Sequence, residues 1–187
     1  LIANVPGGVP INAWTHVACT YDNADIKLYV NGALIGTQNI GPKTVANTSS
    51  TLRISSDDNN NGFFNGKIDE AEVYNRALSA AEIAGIHTAG SGGQCGCSTA
   101  PDDMFAWYEG EGNANDSIGS SHGTLENGAT FSPGLVGQAF SFDGVDDRVV
   151  IPHNANQNPG TGFTVDAWIK QDTLGHGRPV AQKRTSG

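Results

Sequence analysis

Apolar residues in this 187-residue sequence occur in short alternating runs separated by turn residues, and this pattern predicts strands. Ile26, Leu28 and Val30 alternate with Lys27 and Tyr29, and the run ends at Asn31-Gly32. An Asn-Gly pair tolerates the positive φ angles of a type I′ hairpin turn. We therefore predict an all-β fold, with strands at residues 14–21, 25–30, 33–36, 52–55, 66–74, 104–108, 138–142, 148–151, 163–170 and 179–182.

One strand shows how the sheets are expected to pack. In Phe163-Thr-Val-Asp-Ala-Trp-Ile-Lys170 the odd positions are apolar, and the even positions carry Thr164, Asp166, Trp168 and Lys170. A sheet packed on both sides, or one that lines a cleft, uses such a pattern. The whole chain is predicted to be an antiparallel β-sandwich of the jelly-roll type.

The hydrophobic period changes once, after the first group of strands. Ser79-Ala-Ala-Glu82 is a capping box, and Ile83, Ile86 and a terminating Gly90 follow it, which predicts one short helix near residues 79–89. Residues 91–103 are rich in Gly, Ser, Cys, Thr and Pro and are predicted to be a linker.

Charge excludes several classes of partner. The formal net charge is −9, and no basic stripe exists, which disfavours nucleic acid and anionic membranes. No apolar run approaches the roughly 20 residues that span a bilayer, and no signal peptide begins at Leu1. Because the chain starts in the middle of a strand pattern, we expect it to be a piece of a longer protein.

The three cysteines do not form a self-contained disulfide framework. Cys95 and Cys97 are too closely spaced for the usual zinc knuckle pair. Cys19 is expected in a strand, either as a small buried apolar side chain or as one end of a disulfide to another segment.

Residues Asp57, Asn59, Asn61 and Gly62 match the start of a calcium-binding EF-hand loop. The twelfth position, which needs a bidentate Glu, is Ile68. The flanking segments read as strands and not as helices, so we predict an ordinary polar loop.

Gly119-Ser-Ser-His-Gly123 matches the nucleophile elbow of α/β-hydrolases. That elbow needs a buried strand before the serine and a helix after it. Neither pattern is present in the flanking residues, so we reject a serine hydrolase.

Several longer motifs resemble one family, the LamG-like domains of the concanavalin A-like lectin/glucanase superfamily. The resemblance to the second half of such a domain lies in Trp14-Thr-His-Val-Ala-Cys-Thr-Tyr-Asp22, Leu28-Tyr-Val-Asn-Gly32 and the segment 66–83. The resemblance to the first half lies in residues 107–116, 122–125, 137–147 and 163–169.

The two halves stand in the reverse of the family order. The resemblance thus implies a C-terminal half at residues 1–90, a linker at 91–103 and an N-terminal half at 104–187. One interpretation is that this linker joins the halves into one circularly permuted sandwich. The other is a cut through a tandem-repeat protein, with each half completed by a neighbouring copy of the chain.

Glucanases of the superfamily place catalytic carboxylates at alternate positions of one strand. In Lys67-Ile-Asp-Glu-Ala-Glu72, strict alternation would put Glu70 and Glu72 on one face and Asp69 on the other. No third acid aligns with the pair. We therefore predict a protein that is not an enzyme, with a glucanase-like hydrolase as the weaker alternative.

Calcium is the expected cofactor, in a structural role. Loops rich in Asp, Asn and Gly supply the oxygen ligands that hard cations take. The resemblance points chiefly to Asp69, through superfamily members that hold calcium near the pairing of the first and last strands. The candidate ligands are Asp69, Asp116, Asp143 and Asp146, with Asp147 beside them; a plain turn at 143–147 is the alternative.

A carbohydrate ligand is the first hypothesis for function. The candidate binding residues are two aromatic side chains for stacking and a polar loop for hydrogen bonds: Tyr29, Trp168, Asp57, Asp58 and Asn59. The resemblance implies a binding or adhesion module of a secreted or cell-surface protein, of a bacterial repeat type. Its partners would be a glycan, another extracellular protein or neighbouring copies of itself, and the alternative is a structural spacer repeat.

Overall fold

The computed structural model describes residues 8–43, 49–57, 62–90, 102–154, 158, 160–173 and 179–183. Within these residues the chain forms strands and one helix. In chain order they are β1 (Thr15–Tyr21), β2 (Asp25–Val30), β3 (Ala33–Asn39), β4 (Leu52–Ile54), β5 (Asn65–Tyr74), α1 (Ala80–Ala89), β6 (Met104–Tyr108), β7 (Thr124–Glu126), β8 (Thr130–Pro133), β9 (Gln138–Asp143), β10 (Arg148–Ile151), β11 (Phe163–Gln171) and β12 (Ala181–Lys183).

These strands form two antiparallel sheets, which confirms the predicted sandwich. The larger sheet, sheet A, has the order β3-β2-β1-β11-β5-β9-β8, and β6 pairs with the far end of β5. The smaller sheet, sheet B, has the order β12-β4-β10-β7. In the chain, β1 and β5 come before the predicted linker and β11 comes after it. In sheet A, β11 lies between β1 and β5.

The main core lies between the two sheets. Sheet B contributes Ile54 and Val149, and sheet A contributes Ile68, Phe140 and Ile169, each at most 3% exposed. A second, smaller apolar cluster lies where α1 covers the opposite face of sheet A, and its members are Ala18, Tyr29, Tyr74, Leu78 and Ile83. Sheet A is thus packed on both sides, as the pattern of β11 predicted.

Local sequence signals account for the hairpin and the helix. Asn31 and Gly32 have φ angles of 49° and 75°, so the β2–β3 hairpin has the predicted turn. Ser79 caps α1, and its side chain accepts a hydrogen bond from the backbone N–H of Glu82, whose own side chain accepts one from the N–H of Ser79. Both predictions are confirmed.

Two short strands, β7 and β8, were not predicted. Thr124–Glu126 has three residues and Thr130–Pro133 has four, and no residue of either is fully buried. Segments this short and this polar carry no clear alternation. The predicted linker at 91–103 lies outside the described residues except for its last two positions.

Among the described residues, the helix is too short and too polar to cross a membrane. Cys19 is a free thiol in β1, 2% exposed, while Cys95 and Cys97 lie outside the described residues.

The close approach of β5 and β11 at Gly66 offers a test of this register. Gly66 has a φ of 137°, and a Cβ at this position would lie 2.2 Å from the carbonyl oxygen of Lys170. We expect Gly66→Ala to lower the free energy of unfolding by about 3 kcal/mol or more in urea titrations, because backbone atoms would have to move. Gly85→Ala is the matched control, since Gly85 lies exposed in α1 with nothing near the new methyl group, and it should stabilise by about 0.5–1 kcal/mol. Similar effects of the two substitutions would contradict the pairing of Gly66 with Gln171.

The mass of the chain in solution tests the predicted relation between the halves. If residues 1–90 and 104–187 close into one permuted sandwich, light scattering should give a monomer of 19.4 kDa with a compact hydrodynamic radius. Halves completed between neighbouring chains would instead give a dimer or a ladder of oligomers, and that result would refute the permuted sandwich.

Candidate functional site

The outer face of sheet A, on the side away from sheet B, carries a group of acidic and aromatic residues near its centre. Cross-strand pairing brings Asp166 opposite Glu72, Glu72 opposite Trp107, and Trp168 opposite Asp69. Residues directly opposite one another lie on the same face of a sheet, and Asp166 and Trp168 are two apart on β11. We call these five residues together with Glu70 the acidic-aromatic face.

A β-bulge in β5 creates this arrangement. From Asp69 to Glu72, β5 advances by three residues, whereas the paired segment of β11 advances by two. Glu70, which lies within this segment of β5, has a φ of 52°. The extra residue reverses the alternation, so Asp69 and Glu72 lie on one face. The prediction that Asp69 lies on the other face of the sheet from Glu70 and Glu72 is therefore wrong, because it assumed unbroken alternation along β5.

All four carboxyl groups of this face are buried. Their exposed fractions are 0% for Asp69, 7% for Glu70, 2% for Glu72 and 2% for Asp166. Burial of a charge is unfavourable unless hydrogen bonds or protonation compensate for it. The structure shows both kinds of compensation.

Hydrogen bonds within the protein engage three of these carboxyl groups. The Oδ2 of Asp69 accepts from the backbone N–H groups of Leu135 at 2.8 Å and Val136 at 3.1 Å. The Trp107 indole Nε1–H donates to Glu70 Oε2 at 2.6 Å, and the Tyr74 hydroxyl donates to Glu72 Oε2. These contacts fix the orientation of the Trp107 indole and of the carboxyl groups.

The pKa values of three of the acids are raised. Burial first, and then the charges of Asp69 and Glu72, raise the pKa of Glu70 to about 8 against the lowering effect of the hydrogen bond from Trp107. Burial likewise raises the pKa of Asp69 to about 6. The pKa of Asp166 lies well above its usual range because of burial and because of the charge of Glu72, to which it is hydrogen-bonded. A raised pKa favours the protonated, uncharged form of Asp166.

Trp168, His16 and His87 form a cluster of three rings in mutual contact at the margin of α1. The ring centroid of Trp168 is 5.3 Å from that of His16 and 5.6 Å from that of His87, which comes from the last turn of the helix. His16 is 0% exposed, and burial followed by the charge of His87 lowers its pKa to about 4. His16 is therefore neutral at pH 7, and the indole of Trp168 is held in a stack while staying partly exposed.

The other predicted ligand-binding residues do not join this face as expected. Tyr29 is 3% exposed and packs in the cluster under α1, so we assign it a packing role and correct the prediction that it contacts a ligand. Aromatic residues at alternate strand positions do not by themselves reveal which face a helix will cover. Asp57 lies in a short loop where its N–H donates to Gly62 O at 3.1 Å, and Asp58 and Asn59 lie outside the described residues.

Asp116 organises a loop between β6 and β7. Its Oδ1 accepts from the backbone N–H groups of Trp107, Ile118 and Gly119, and its Oδ2 accepts from that of Ser121, at 2.9–3.2 Å. Four N–H groups directed at one carboxylate occupy the positions where a cation would lie. These contacts favour a structural role for Asp116 over the predicted metal ligation.

Two of the predicted metal ligands do come together. Asp143 and Asp146 lie with Asp147 in the β9–β10 turn, and one oxygen atom from each lies within 4.8 Å of the others. Among the described residues these three carboxylates are separate from Asp69 and Asp116, so the four predicted ligands do not form one site.

Sequence reasoning missed Glu72, Asp166 and Trp107 as parts of a site. Asp166 on the polar face of β11 was a usable signal, since an acidic residue in the middle of a long strand requires a partner across the sheet. Its partner could not be identified without the pairing of β11 with β5.

Comparisons with known proteins support the resemblance in part of the chain. Residues 2–84 match the family model Laminin_G_3, described as the concanavalin A-like lectin/glucanases superfamily, so this segment is similar to that superfamily. No curated protein and no solved structure matches the chain. Domains of this superfamily are commonly carbohydrate- or protein-binding modules.

The raised pKa of Glu70 predicts how stability depends on pH. Between the ordinary value of 4.5 and the folded value of about 8, the folded protein keeps a proton that the unfolded chain has released. The free energy of unfolding contributed by this group therefore falls as pH rises through that window, by up to about 1.4 kcal/mol per pH unit. Glu70→Gln should remove this contribution, so urea titrations should show the variant gaining stability relative to the wild type as pH rises.

Asp25→Asn is the control for this experiment. Asp25 accepts a hydrogen bond from Asn39, and an asparagine there can still accept it. The control should follow the wild-type pH profile. A Glu70→Gln profile parallel to the wild type would show that Glu70 is ionised in the folded protein.

Proposed function

We propose that this chain, whose residues 2–84 are similar to the concanavalin A-like lectin/glucanase superfamily, is a non-catalytic module that binds carbohydrate through the acidic-aromatic face. The observation that carries the proposal is that Trp107 and Trp168 both lie partly exposed on this one face of sheet A. Trp107 on β6 and Trp168 on β11 lie two strands apart, on either side of β5, and are offset by two residues along the strands. This arrangement corresponds to about 12 Å between their Cα atoms.

Both indoles are held in place before any ligand arrives. Trp107 is fixed by its hydrogen bond to Glu70, and Trp168 by its contacts with the rings of His16 and His87. A rigid aromatic surface loses little conformational entropy on binding, which favours recognition of the flat apolar faces of sugar rings.

Charge favours neutral glycans over anionic ones. The chain has a net charge of −9, and the face itself carries acidic groups and no basic ones among its six members. Sulfated or phosphorylated polymers would be repelled.

The same geometry supports a binding role over hydrolysis. A glycosidase needs two carboxyl groups that reach the scissile bond from either side. Here all four are at most 7% exposed, and three accept hydrogen bonds from Leu135, Val136, Trp107 and Tyr74. A secreted or cell-surface location is the setting in which such a module would meet glycans or neighbouring proteins.

Binding to neutral polysaccharides tests the proposal. Affinity electrophoresis of the full chain in gels that contain laminarin, xylan, galactomannan or amylose should show retardation by at least one of them. Trp107→Ala should weaken that binding roughly tenfold, because stacking on one indole is lost. Trp107→Phe should keep part of the affinity, since the ring face remains.

Leu34→Ala is the control variant, because Leu34 is an exposed apolar residue, 51% exposed, on edge strand β3 of the same sheet. Circular dichroism should confirm that all variants fold. Absence of binding to every probe would refute the proposal and favour a spacer role. Depolymerisation of the probe would favour the hydrolase.

A further inference from the structure

Two histidines from distant parts of the chain meet beside Trp168 on the outer face of sheet A. His16 comes from β1, and His87 comes from the last turn of α1. Their ring centroids lie 5.9 Å apart, and the ring planes are inclined by 47°. The docking of α1 on this sheet brings the two side chains together, and no spacing in the sequence announces the pair.

His16 is a buried side chain whose polar atoms lack partners. It is 0% exposed, and neither of its ring nitrogens has a hydrogen-bond partner among the described residues. In the described part of the chain it is the only buried side chain with two such atoms. An imidazole carries an N–H or a lone pair on each nitrogen, so burial of both without a partner is unfavourable.

The ring of Trp168 can compensate for one of these nitrogens at most. It lies 5.3 Å from the His16 ring and is tilted by 58°. In such an arrangement an N–H can point at the π face of the indole, which is a weak contact. The other nitrogen carries a lone pair, and a lone pair requires a hydrogen-bond donor or a metal ion.

The β2–β3 turn positions both histidines. A Cβ at Gly32 would lie 3.3 Å from His87 Nδ1, so this nitrogen faces the turn and Nε2, across the ring, is the one that can reach a ligand. The backbone N–H of His16 donates to Asn31 Oδ1 at 3.0 Å, and the N–H of Asn31 donates to the carbonyl of His16 at 2.9 Å. One turn therefore holds the two residues before any ion arrives, which reduces the ordering that binding would require.

The separation of the two rings fits a pair of ligands on one metal ion. A Zn–N bond is about 2.0–2.1 Å long and the ring centre lies about 1.1 Å behind the nitrogen, so two imidazoles on one ion have centroids about 5–6.4 Å apart. The observed 5.9 Å lies in this range. His87 is only half-buried at the end of α1, and this side leaves a path for the ion and for water ligands.

We propose that His16 and His87 bind a divalent transition-metal ion, with water completing its coordination. Imidazole nitrogen is a ligand that Zn²⁺, Cu²⁺ and Ni²⁺ share, whereas Ca²⁺ and Mg²⁺ take oxygen ligands. Cu²⁺ should bind more tightly than Ni²⁺ or Zn²⁺, as it does at nitrogen sites in general. This site does not depend on the proposed binding of carbohydrate.

A bound ion would link the end of α1 to β1. The helix is otherwise held on sheet A by the small apolar cluster around Tyr74 and Ile83. A ligand that binds only the folded protein stabilises it by mass action, so the metal should raise the melting temperature.

Zinc chloride and copper(II) chloride are the probes in the test, with the full 187-residue chain and excess magnesium chloride to occupy exposed carboxylates. Isothermal titration calorimetry with zinc should show one saturable site, and the rise in melting temperature should reverse on addition of EDTA. Imidazole NMR signals of His16 and His87 should shift with zinc, while those of His153 should not. Copper(II) should quench part of the tryptophan fluorescence, because the Trp168 ring contacts both ligands.

His87→Gln is the decisive variant, because His87 is half-buried at the end of the helix and lies outside the main core. We expect its zinc affinity to fall at least tenfold while its melting temperature without metal stays near that of the wild type. His153→Gln is the control, since it removes an exposed imidazole elsewhere and should bind zinc like the wild type. Absence of saturable binding, or equal zinc affinity of His87→Gln and the wild type, would overturn the proposal.

Discussion

The pairing of β11 between β1 and β5 is the constraint on which the rest of the structure depends. The inward side chains of β11, Val165, Ala167 and Ile169, belong to or pack against the core between the sheets. On the outward side, Thr164 Oγ1 donates to the carbonyl of Arg76 and accepts from the N–H of Leu78, both at 2.8 Å. The same strand therefore builds the core and positions the segment that leads into α1.

A sheet face with four buried acids would be unstable if all of them were ionised. Three features reduce this electrostatic cost. Backbone N–H groups donate to Asp69, the indole of Trp107 donates to Glu70, and the raised pKa of Asp166 beside Glu72 favours its protonated form. The consequence is a face with less charge than its sequence suggests.

Local features of the fold could be predicted from the sequence, and features set by long-range pairing could not. The Asn31-Gly32 turn, the capping box at Ser79 and the alternation in β11 depend on neighbouring residues, so each was predictable. The bulge at Glu70 was not, because it is an irregularity in how β5 pairs with β11. Burial of Tyr29 depends on where α1 docks, and strand β7 pairs with β10, beyond the intervening β8–β9 hairpin.

The aspartates predicted as metal ligands also differ in a way that only the folded structure shows. Asp116, Asp69 and Asp147 all lie buried, yet the structure gives them different partners. Four backbone N–H groups are directed at Asp116, two at Asp69 and one at Asp147, and Oδ1 of both Asp69 and Asp147 has no partner in the described part of the chain. The number of N–H donors that the surrounding backbone directs at each carboxylate determines how far the cost of burying its charge is offset. That number depends on the path of the backbone around the side chain, which a list of aspartates in a sequence does not contain.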